Sequence, residues 1–329
     1  MIYIRKEKKM TEKKWTTVIE PQNKLLDLKL KEVWKYRDLI YLFVLRDIKT
    51  RYKQTVLGPL WFIIQPLFTT IIQTVVFGGF AGLPTDGIPQ FLFYMAGNIP
   101  WLYFSTCLTS TSNTFVGNAN VFGKVYFPRF TTPISIVITT MLTFLIQFAL
   151  FVVFFIYFII KGSEVHFTWA GLLTPVLLVQ LALLSMGCGM IVSALTTKYR
   201  DLQVLVSFGV QLWMYASPVV YAASTLSPKA YSIVMLNPIS PIIELSRYGW
   251  LGAGAYSLGY WAISWVTTIV VLFLGLILFN KVEKTFKGRF PMLDQRFAYP
   301  NFRFPEIDLH NQPFFIFFVF QAVKMGNVY

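Results

Sequence analysis

Residues 131–160 read TTPISIVITTMLTFLIQFALFVVFFIYFII, and none of them is Asp, Glu, Lys, Arg or His. An α-helix rises about 1.5 Å per residue, so about 20 apolar residues cross a hydrocarbon core of about 30 Å. A charge at the centre of such a helix costs about 2.5–3.5 kcal/mol. The stretch therefore predicts a transmembrane helix.

Five further runs are long, apolar and free of Asp, Glu, Lys, Arg and His. They are residues 57–80, 90–112, 170–195, 202–223 and 258–280. Across the chain 55% of residues are hydrophobic and 13% are charged, whereas soluble domains carry about a quarter charged residues. The sequence predicts an all-α integral membrane protein with six transmembrane helices.

The basic residues predict how the chain is oriented. There are 29 Lys and Arg, of which 15 lie in residues 1–56, ahead of the first span. An even number of spans places both termini on one side, and the positive-inside rule makes that side the cytoplasm. Such a cluster indicates contact with anionic lipid and not a nucleic-acid-binding protein. The expected organisation is a cytoplasmic segment 1–56, a six-span region 57–287 and a cytoplasmic extension 288–329, whose role stays open.

The segment just before the first span has the pattern of an interfacial helix. In residues 31–53 apolar and aromatic side chains recur at helical spacing between basic ones, among them Trp34, Tyr41, Leu45 and Ile48. This predicts an amphipathic helix lying in the cytoplasmic interface. An ordinary soluble helix is the alternative.

The segment 222–257, between the fifth and sixth runs, is too apolar for a solvated loop and too rich in proline to span. Irregular backbone near a membrane is tolerated where it is buried in protein or lines a wet cavity. We expect one or two short re-entrant helices at the outer mouth, and the alternative is a lid that packs the spans. Glu244 and Arg247 are three residues apart and so can pair on one helix face. Pro228, Pro238 and Pro241 interrupt this segment, and Pro218 lies just before it.

Several function classes are disfavoured by what the spans lack. Ion-coupled carriers need ionisable groups at membrane depth, and these runs have none. The stretch GNANVFGKV at 117–125 fails as a phosphate-binding loop, because it has one residue too many and Val where a hydroxyl is needed. The carboxylates and histidines outside the termini are scattered over different loops, so neither a catalytic nor a metal site is expected. Cys107 and Cys188 lie within apolar runs and are interpreted as small buried side chains.

Two spans carry uncharged polar stripes. In the first, Trp61, Gln65, Thr69 and Gln73 recur every four residues; in the fifth, Gln203, Ser207, Gln211 and Tyr215 do so, with Trp213 and Tyr221 nearby. Amides and aromatic rings suit a sugar, whose hydroxyls hydrogen-bond and whose ring faces stack. Hydrogen bonding between helices is an equally good explanation from periodicity alone.

Ordered motifs over residues 30–287 resemble the permease subunit of type 2 ABC exporters of lipid-linked polysaccharides, the family of O-antigen, teichoic acid and capsule exporters. The matching stretches are LRDIKTRYK at 45–53, LGPLW at 57–61, Gln65-Pro66, Asn118-Ala-Asn120, KVYFPR at 124–129, YRDL at 199–202, SPVVY at 217–221, LNP at 236–238 and PIIE at 241–244. The chain departs from the family by continuing for about forty residues after Phe286.

The resemblance implies a homodimer in the bacterial inner membrane, with two copies of a separate cytoplasmic ATPase that binds ATP and Mg, so that this chain is not itself an enzyme. It implies a channel walled by the first and fifth spans of both copies. This favours as lining residues Trp61, Gln65, Thr69, Gln73, Gln211 and Tyr215. Trp213 and Tyr221 are expected in an aromatic ring or in the interfacial belt. It implies ATPase coupling by Arg46, Asp47, Lys49 and Arg51 and by Lys124, Tyr126, Phe127, Pro128 and Arg129. The expected cargo is a lipid-linked polysaccharide, O-antigen above all; another amphipathic cargo, or a membrane glycan-processing enzyme, is the alternative.

Overall fold

The computed structural model describes residues 30–52, 57–122, 127–199 and 201–288. In these residues the chain forms helices and no strand. The predictions for residues 1–29, for Lys124 and Tyr126, and for the extension from residue 289 onward lie outside the described residues.

The predicted interfacial segment is helical. It forms α1 (Leu30–Lys35) and α2 (Arg37–Tyr52), and α2 packs against the long third span. Phe43 and Val44 on α2 are buried, while Trp34 and Tyr41 are 71% and 63% exposed. One side of the segment therefore faces the protein and another remains free.

Each of the six predicted runs contains a helix. They are α3 (Trp61–Gln73), continued as a π-helix over Thr74–Phe80, then α4 (Gln90–Ser112), α7 (Thr131–Ile160), α8 (Thr174–Thr196), α9 (Leu202–Tyr215) and α12 (Leu258–Gly288). Within the part of the chain that the structure describes, four helical stretches are long and apolar enough to cross a membrane: Trp61–Phe80, Thr131–Ile160, Trp169–Thr196 and Leu258–Glu283. The all-α membrane architecture is confirmed, and the count of six spans stays a prediction.

The central helix α4 is surrounded by protein, so it can carry polar side chains that a lipid-facing span would not. It packs against α3, α7, α8 and α9, and every residue from Leu92 to Trp101 is buried. Asn98, 1% exposed, lies in this stretch. A helix enclosed by other helices can carry such groups because they find partners inside the bundle.

The fifth span is shorter than predicted. Its helix α9 has 14 residues and ends at Tyr215, whereas the apolar run continues to residue 223. Such a helix is about 21 Å long, less than the about 30 Å of a hydrocarbon core. The cause is Pro218, which has no N–H to donate and disfavours helix at the residue before it.

Short α-helices occupy the two connections of greatest interest. The α4–α7 linker, residues 113–130, contains α5 (Thr114–Gly117) and α6 (Ala119–Phe122). The α9–α12 segment, residues 216–257, contains α10 (Pro228–Leu236) and α11 (Ser240–Leu251). The prediction of one or two short helices between the fifth and sixth runs is thus confirmed, and their re-entrant placement at the outer mouth stays a prediction.

The helices α8 and α12 approach closely through two glycines. A Cβ built on Gly275 would lie 2.6 Å from the carbonyl oxygen of Gly187, and one built on Gly187 would lie 2.8 Å from the Cα of Leu272. Small residues permit this backbone approach, as in many membrane helix pairs.

We expect Gly275→Ala to lower the free energy of unfolding by about 1–3 kcal/mol, because the added methyl group forces the two backbones apart. Thermal unfolding of the purified chain in detergent measures the effect. Gly259→Ala on the same helix is the matched control, since its nearest neighbour, Ser257 Oγ, is 3.8 Å away. Equal midpoints for the two variants would contradict the prediction.

Candidate functional site

The polar stripe of the first span begins exposed and ends buried. Trp61 is 49% exposed and Gln65 is exposed, while Gln73 is 5% exposed. Thr69 Oγ1 donates to the Gln65 carbonyl over 2.9 Å, and the Gln73 side-chain oxygen accepts from Asn98 Nδ2. Gln73 therefore makes the hydrogen bond between helices that the sequence left as an alternative.

Helical geometry explains this burial. A helix turns by about 100° per residue, so residues four apart drift around it by about 40° per step. After three steps, from Trp61 to Gln73, the stripe has rotated by about 120° and faces α4. A spacing of four thus follows one face for only part of a span.

Along α9 the exposure of the stripe changes in the reverse order: its first residue is half-buried and its later residues are exposed. Gln203 donates through Nε2 to Asn113 Oδ1 over 2.6 Å. Ser207 is exposed and donates to the Gln203 carbonyl over 3.0 Å. Gln211 is also exposed, and Tyr215 is 53% exposed. The half of α9 toward its C-terminus therefore offers an amide and a phenol that face outward from this chain.

Two aromatic residues near that stripe face the interior instead. Trp213 Nε1 donates to Asn237 Oδ1 over 3.1 Å, and its ring meets Phe104 edge-on at 5.2 Å between centroids. Tyr221 is partly buried against the main core. Trp213 therefore fixes the end of α9 relative to the segment that follows.

Asn237 is the junction of that region, and the sequence did not single out its role. Besides accepting from Trp213, it donates through Nδ2 to Ser217 Oγ over 2.8 Å. The next carbonyl, that of Pro238, accepts from Ser264 Oγ of α12. Pro241 is buried in the first turn of α11. The signal was an asparagine between apolar stretches, which needs a partner when it is buried.

The predicted pairing of Glu244 with Arg247 is confirmed. Arg247 Nη1 donates to Glu244 Oε1 over 2.6 Å, and the two side chains are 0% and 1% exposed, respectively. The other carboxylate oxygen of Glu244 accepts from the Ala255 N–H over 2.9 Å. Burial raises the pKa of Glu244 above its ordinary value, and the Arg247 guanidinium opposes that rise.

Arg247 also holds the turn that follows α9. Its Nη2 donates to the carbonyls of Pro218 and Val219 over 3.0 and 3.3 Å. Its guanidinium carbon lies 3.8 Å from the centroid of the Phe93 ring on α4. A single buried cation thus joins α4, α11 and residues 218–219.

At the opposite end of α9, phenylalanines join α2, the α4–α7 linker and α12. We call Phe43, Phe115, Phe122, Phe127 and Phe279 the aromatic cluster; all five are buried. Ring centroids are 5.6 Å apart for Phe43 and Phe127, 5.5 Å for Phe122 and Phe127, and 4.6 Å for Phe115 and Phe279. The cluster therefore connects the two segments that the resemblance assigns to ATPase coupling.

The basic residues predicted for coupling differ in burial: Arg129 is buried, whereas Arg46 and Lys49 on α2 are partly or fully exposed. Arg129 is 7% exposed, donates to the Glu283 carbonyl over 3.1 Å and lies over the Phe122 ring. Arg46 pairs with its neighbour Asp47 at 2.8 Å, and Lys49 is exposed on α2. Pro128 is partly buried. The side chains of Arg51, Lys124 and Tyr126 lie outside the described residues.

The amino-acid sequence of this chain is similar to those of known membrane transport proteins. A profile of the ABC-2 type transporter family matches residues 38–251. The O-antigen export system permease protein RfbA of Klebsiella pneumoniae is 31% identical over 251 residues, which cover 76% of this chain and 93% of that protein. RfbA of Myxococcus xanthus is 29% identical over 66% of this chain and 80% of its own length. The polysialic acid transport protein KpsM of Escherichia coli is 28% identical over 73% of this chain and 92% of its own length.

Proposed function

Because this chain belongs to the ABC-2 type transporter family, we propose that it is the membrane permease of an ABC exporter whose cargo is a lipid-linked polysaccharide, O-antigen first among them. The observation that carries the proposal is similarity over 93% of the length of an O-antigen export permease. The relative named for polysialic acid transport supports the same class of cargo. The chain itself is the transport subunit and hydrolyses nothing.

The power comes from a separate ATPase. The stretch at 117–125 does not fit a nucleotide site, so ATP and Mg bind to the partner. Two copies of the permease face two copies of the ATPase in the bacterial inner membrane, with both termini in the cytoplasm. The exposed Lys49 on α2 is available for contact with that partner, whereas the buried Phe127 and Arg129 hold α2, α12 and the α4–α7 linker together.

The cargo passes along α3 and α9 of the two copies. Trp61, Gln65, Thr69, Gln211 and Tyr215 supply amide, hydroxyl and aromatic groups on their outward faces. Uncharged hydrogen-bonding groups beside aromatic rings suit a sugar polymer. Gln73 and Trp213 act from inside the protomer by fixing these two helices, and Tyr221 is partly buried against the core.

The test is ATP hydrolysis by the permease and its co-expressed ATPase in nanodiscs, with and without lipid-linked polysaccharide. We expect the cargo to stimulate hydrolysis. The double variant Gln211→Leu with Tyr215→Leu is expected to need about tenfold more cargo for half-maximal stimulation, because hydrogen bonds of about 0.5–1.5 kcal/mol each are lost.

Leu212→Ala is the matched control, since Leu212 is as exposed on α9 as Tyr215 but its side chain carries no hydrogen-bonding group. Its half-maximal cargo concentration should equal that of the unmodified chain. Stimulation by lipids or other amphiphiles that lack sugar would favour a different cargo. If no ATPase co-purifies and no hydrolysis is seen, the export function is wrong.

A further inference from the structure

The helix α9 is held at both ends by side-chain amides of other elements. At its start Gln203 donates to Asn113, and near its end Trp213 donates to Asn237. Between these two points only Val210 is buried among the residues of α9. A helix with so little buried surface is fixed by its end contacts more than by packing, and such elements are the ones that move in conformational changes.

Asn113 belongs to the α4–α7 linker. It lies at the break between α4 and α5, with φ −89° and ψ 8°. Its carbonyl accepts from the Gly117 N–H over 2.8 Å, and its side-chain Nδ2 would be 3.0 Å from a Cβ built on Gly117. Asn113 is therefore packed onto α5, and a displacement of α5 displaces its side chain.

The neighbouring helix α8 is attached differently. Thr196 Oγ1 donates to the carbonyl of Ser112, the last residue of α4, over 3.3 Å. The helix α8 also packs against α5 of the linker. A linker movement therefore reaches α8 through packing, whereas it reaches α9 through the Gln203–Asn113 hydrogen bond.

We propose that the Gln203–Asn113 hydrogen bond transmits displacement of the α4–α7 linker to α9, which makes these two amides positioning residues for transport. The inference rests on the proposed function, because the partner ATPase is what displaces the linker. The helix α9 then carries the motion toward Asn237 and the α10–α11 turn. An uncharged amide pair can do this at the end of a span without burying a charge.

The chemistry of the pair allows a non-additive test. Asn113→Asp keeps an acceptor for the side-chain NH₂ of Gln203. Gln203→Glu provides an acceptor for the side-chain NH₂ of Asn113, once the Asn113 amide has flipped so that its nitrogen faces residue 203. Each single variant should therefore retain the hydrogen bond. The double variant brings two carboxylates together with no donor between them, so it loses the contact. Asn113→Asp with Gln203→Lys restores a donor–acceptor pair.

The readout is the maleimide labelling rate of Leu205→Cys in the full complex with its ATPase, with and without ATP. Leu205 is 62% exposed on α9, and of the two native cysteines Cys107 is buried and Cys188 partly buried. We expect ATP to change the labelling rate several-fold in the unmodified chain, in both single variants and in the Lys rescue. The change should be absent in the double carboxylate variant, while its ATP hydrolysis rate and thermal midpoint stay close to those of the single variants.

An ATP-induced labelling change of full size in the double carboxylate variant would overturn the proposal. So would loss of the change together with a lowered thermal midpoint and lowered ATP hydrolysis, since that pattern reports a structural role only. Export of polysaccharide is measured separately on the unmodified complex. If that complex fails to export, the proposed function fails, whereas the labelling outcome judges the contact without any cargo present.

Discussion

Methionine in place of Arg247 is expected to leave little folded protein in the membrane fraction. Arg247 has no exposed surface and donates to Glu244 and to the carbonyls of Pro218 and Val219. Removing it strands a buried carboxylate and two carbonyl groups. Breaking a buried pair by removing one partner costs about 3–5 kcal/mol, which is a large share of the stability of most proteins.

The measurement is the yield of monodisperse chain after detergent extraction, followed by its thermal midpoint. Lys229→Met is the matched control, because Lys229 is an exposed cation on α10 in the same segment. We expect that variant to keep the yield of the unmodified chain. Replacing both members, Glu244→Leu with Arg247→Met, should recover part of the loss, since no unpaired charge then remains.

A yield and midpoint for Arg247→Met equal to those of Lys229→Met would contradict this prediction. An Arg247→Lys variant refines it. Lysine keeps the charge but lacks the planar fork that reaches Glu244 and two carbonyls at once, so an intermediate midpoint is expected. Gly97 on α4 gives an independent check, because a Cβ there would lie 2.8 Å from Arg247 Nη2 and from the Val219 carbonyl oxygen.

The bounds of two apolar runs were predictable to the residue. The run 131–160 forms α7 and the run 90–112 forms α4 with the predicted bounds, although α4 contains Pro100. The same reasoning failed for residues 202–223, where a single proline ends the helix at Tyr215 although the following residues stay apolar. Hydropathy measures transfer into lipid and does not register the missing N–H that ends this helix.

The direction in which side chains face was harder to predict than the helices themselves. Gln73 shares the spacing of Trp61 and Gln65 but is buried, because a period of four drifts on a helix of 3.6 residues per turn. Phe127 was predicted as an anchor toward the ATPase, and it is enclosed by Phe43 and Phe122 of its own chain. Sequence supplies an aromatic near a helix end, but only the folded chain determines which surface covers it.

That enclosure sets the last expectation, for Phe127→Ala. The substitution removes a buried ring that touches both α2 and α6, and truncation of a buried phenylalanine costs about 3–5 kcal/mol. The substitution removes the contact between the rings of Phe43 and Phe127, which joins α2 to the α4–α7 linker. We therefore expect α2 and the linker to move independently, so that the ATPase still binds and hydrolyses ATP while polysaccharide export per ATP hydrolysed falls strongly.

Export and ATP hydrolysis are measured together in proteoliposomes, at a temperature where the variant is still folded by its tryptophan fluorescence. Phe80→Ala is the matched control, because Phe80 is 86% exposed and its truncation leaves no cavity. Phe127→Leu should keep most of the coupling, since leucine fills much of the space between Phe43 and Phe122. A Phe127→Ala variant that exports as much per ATP as Phe80→Ala would show that the aromatic cluster stabilises the chain without linking the two segments, because the cavity would then be present and the coupling unchanged.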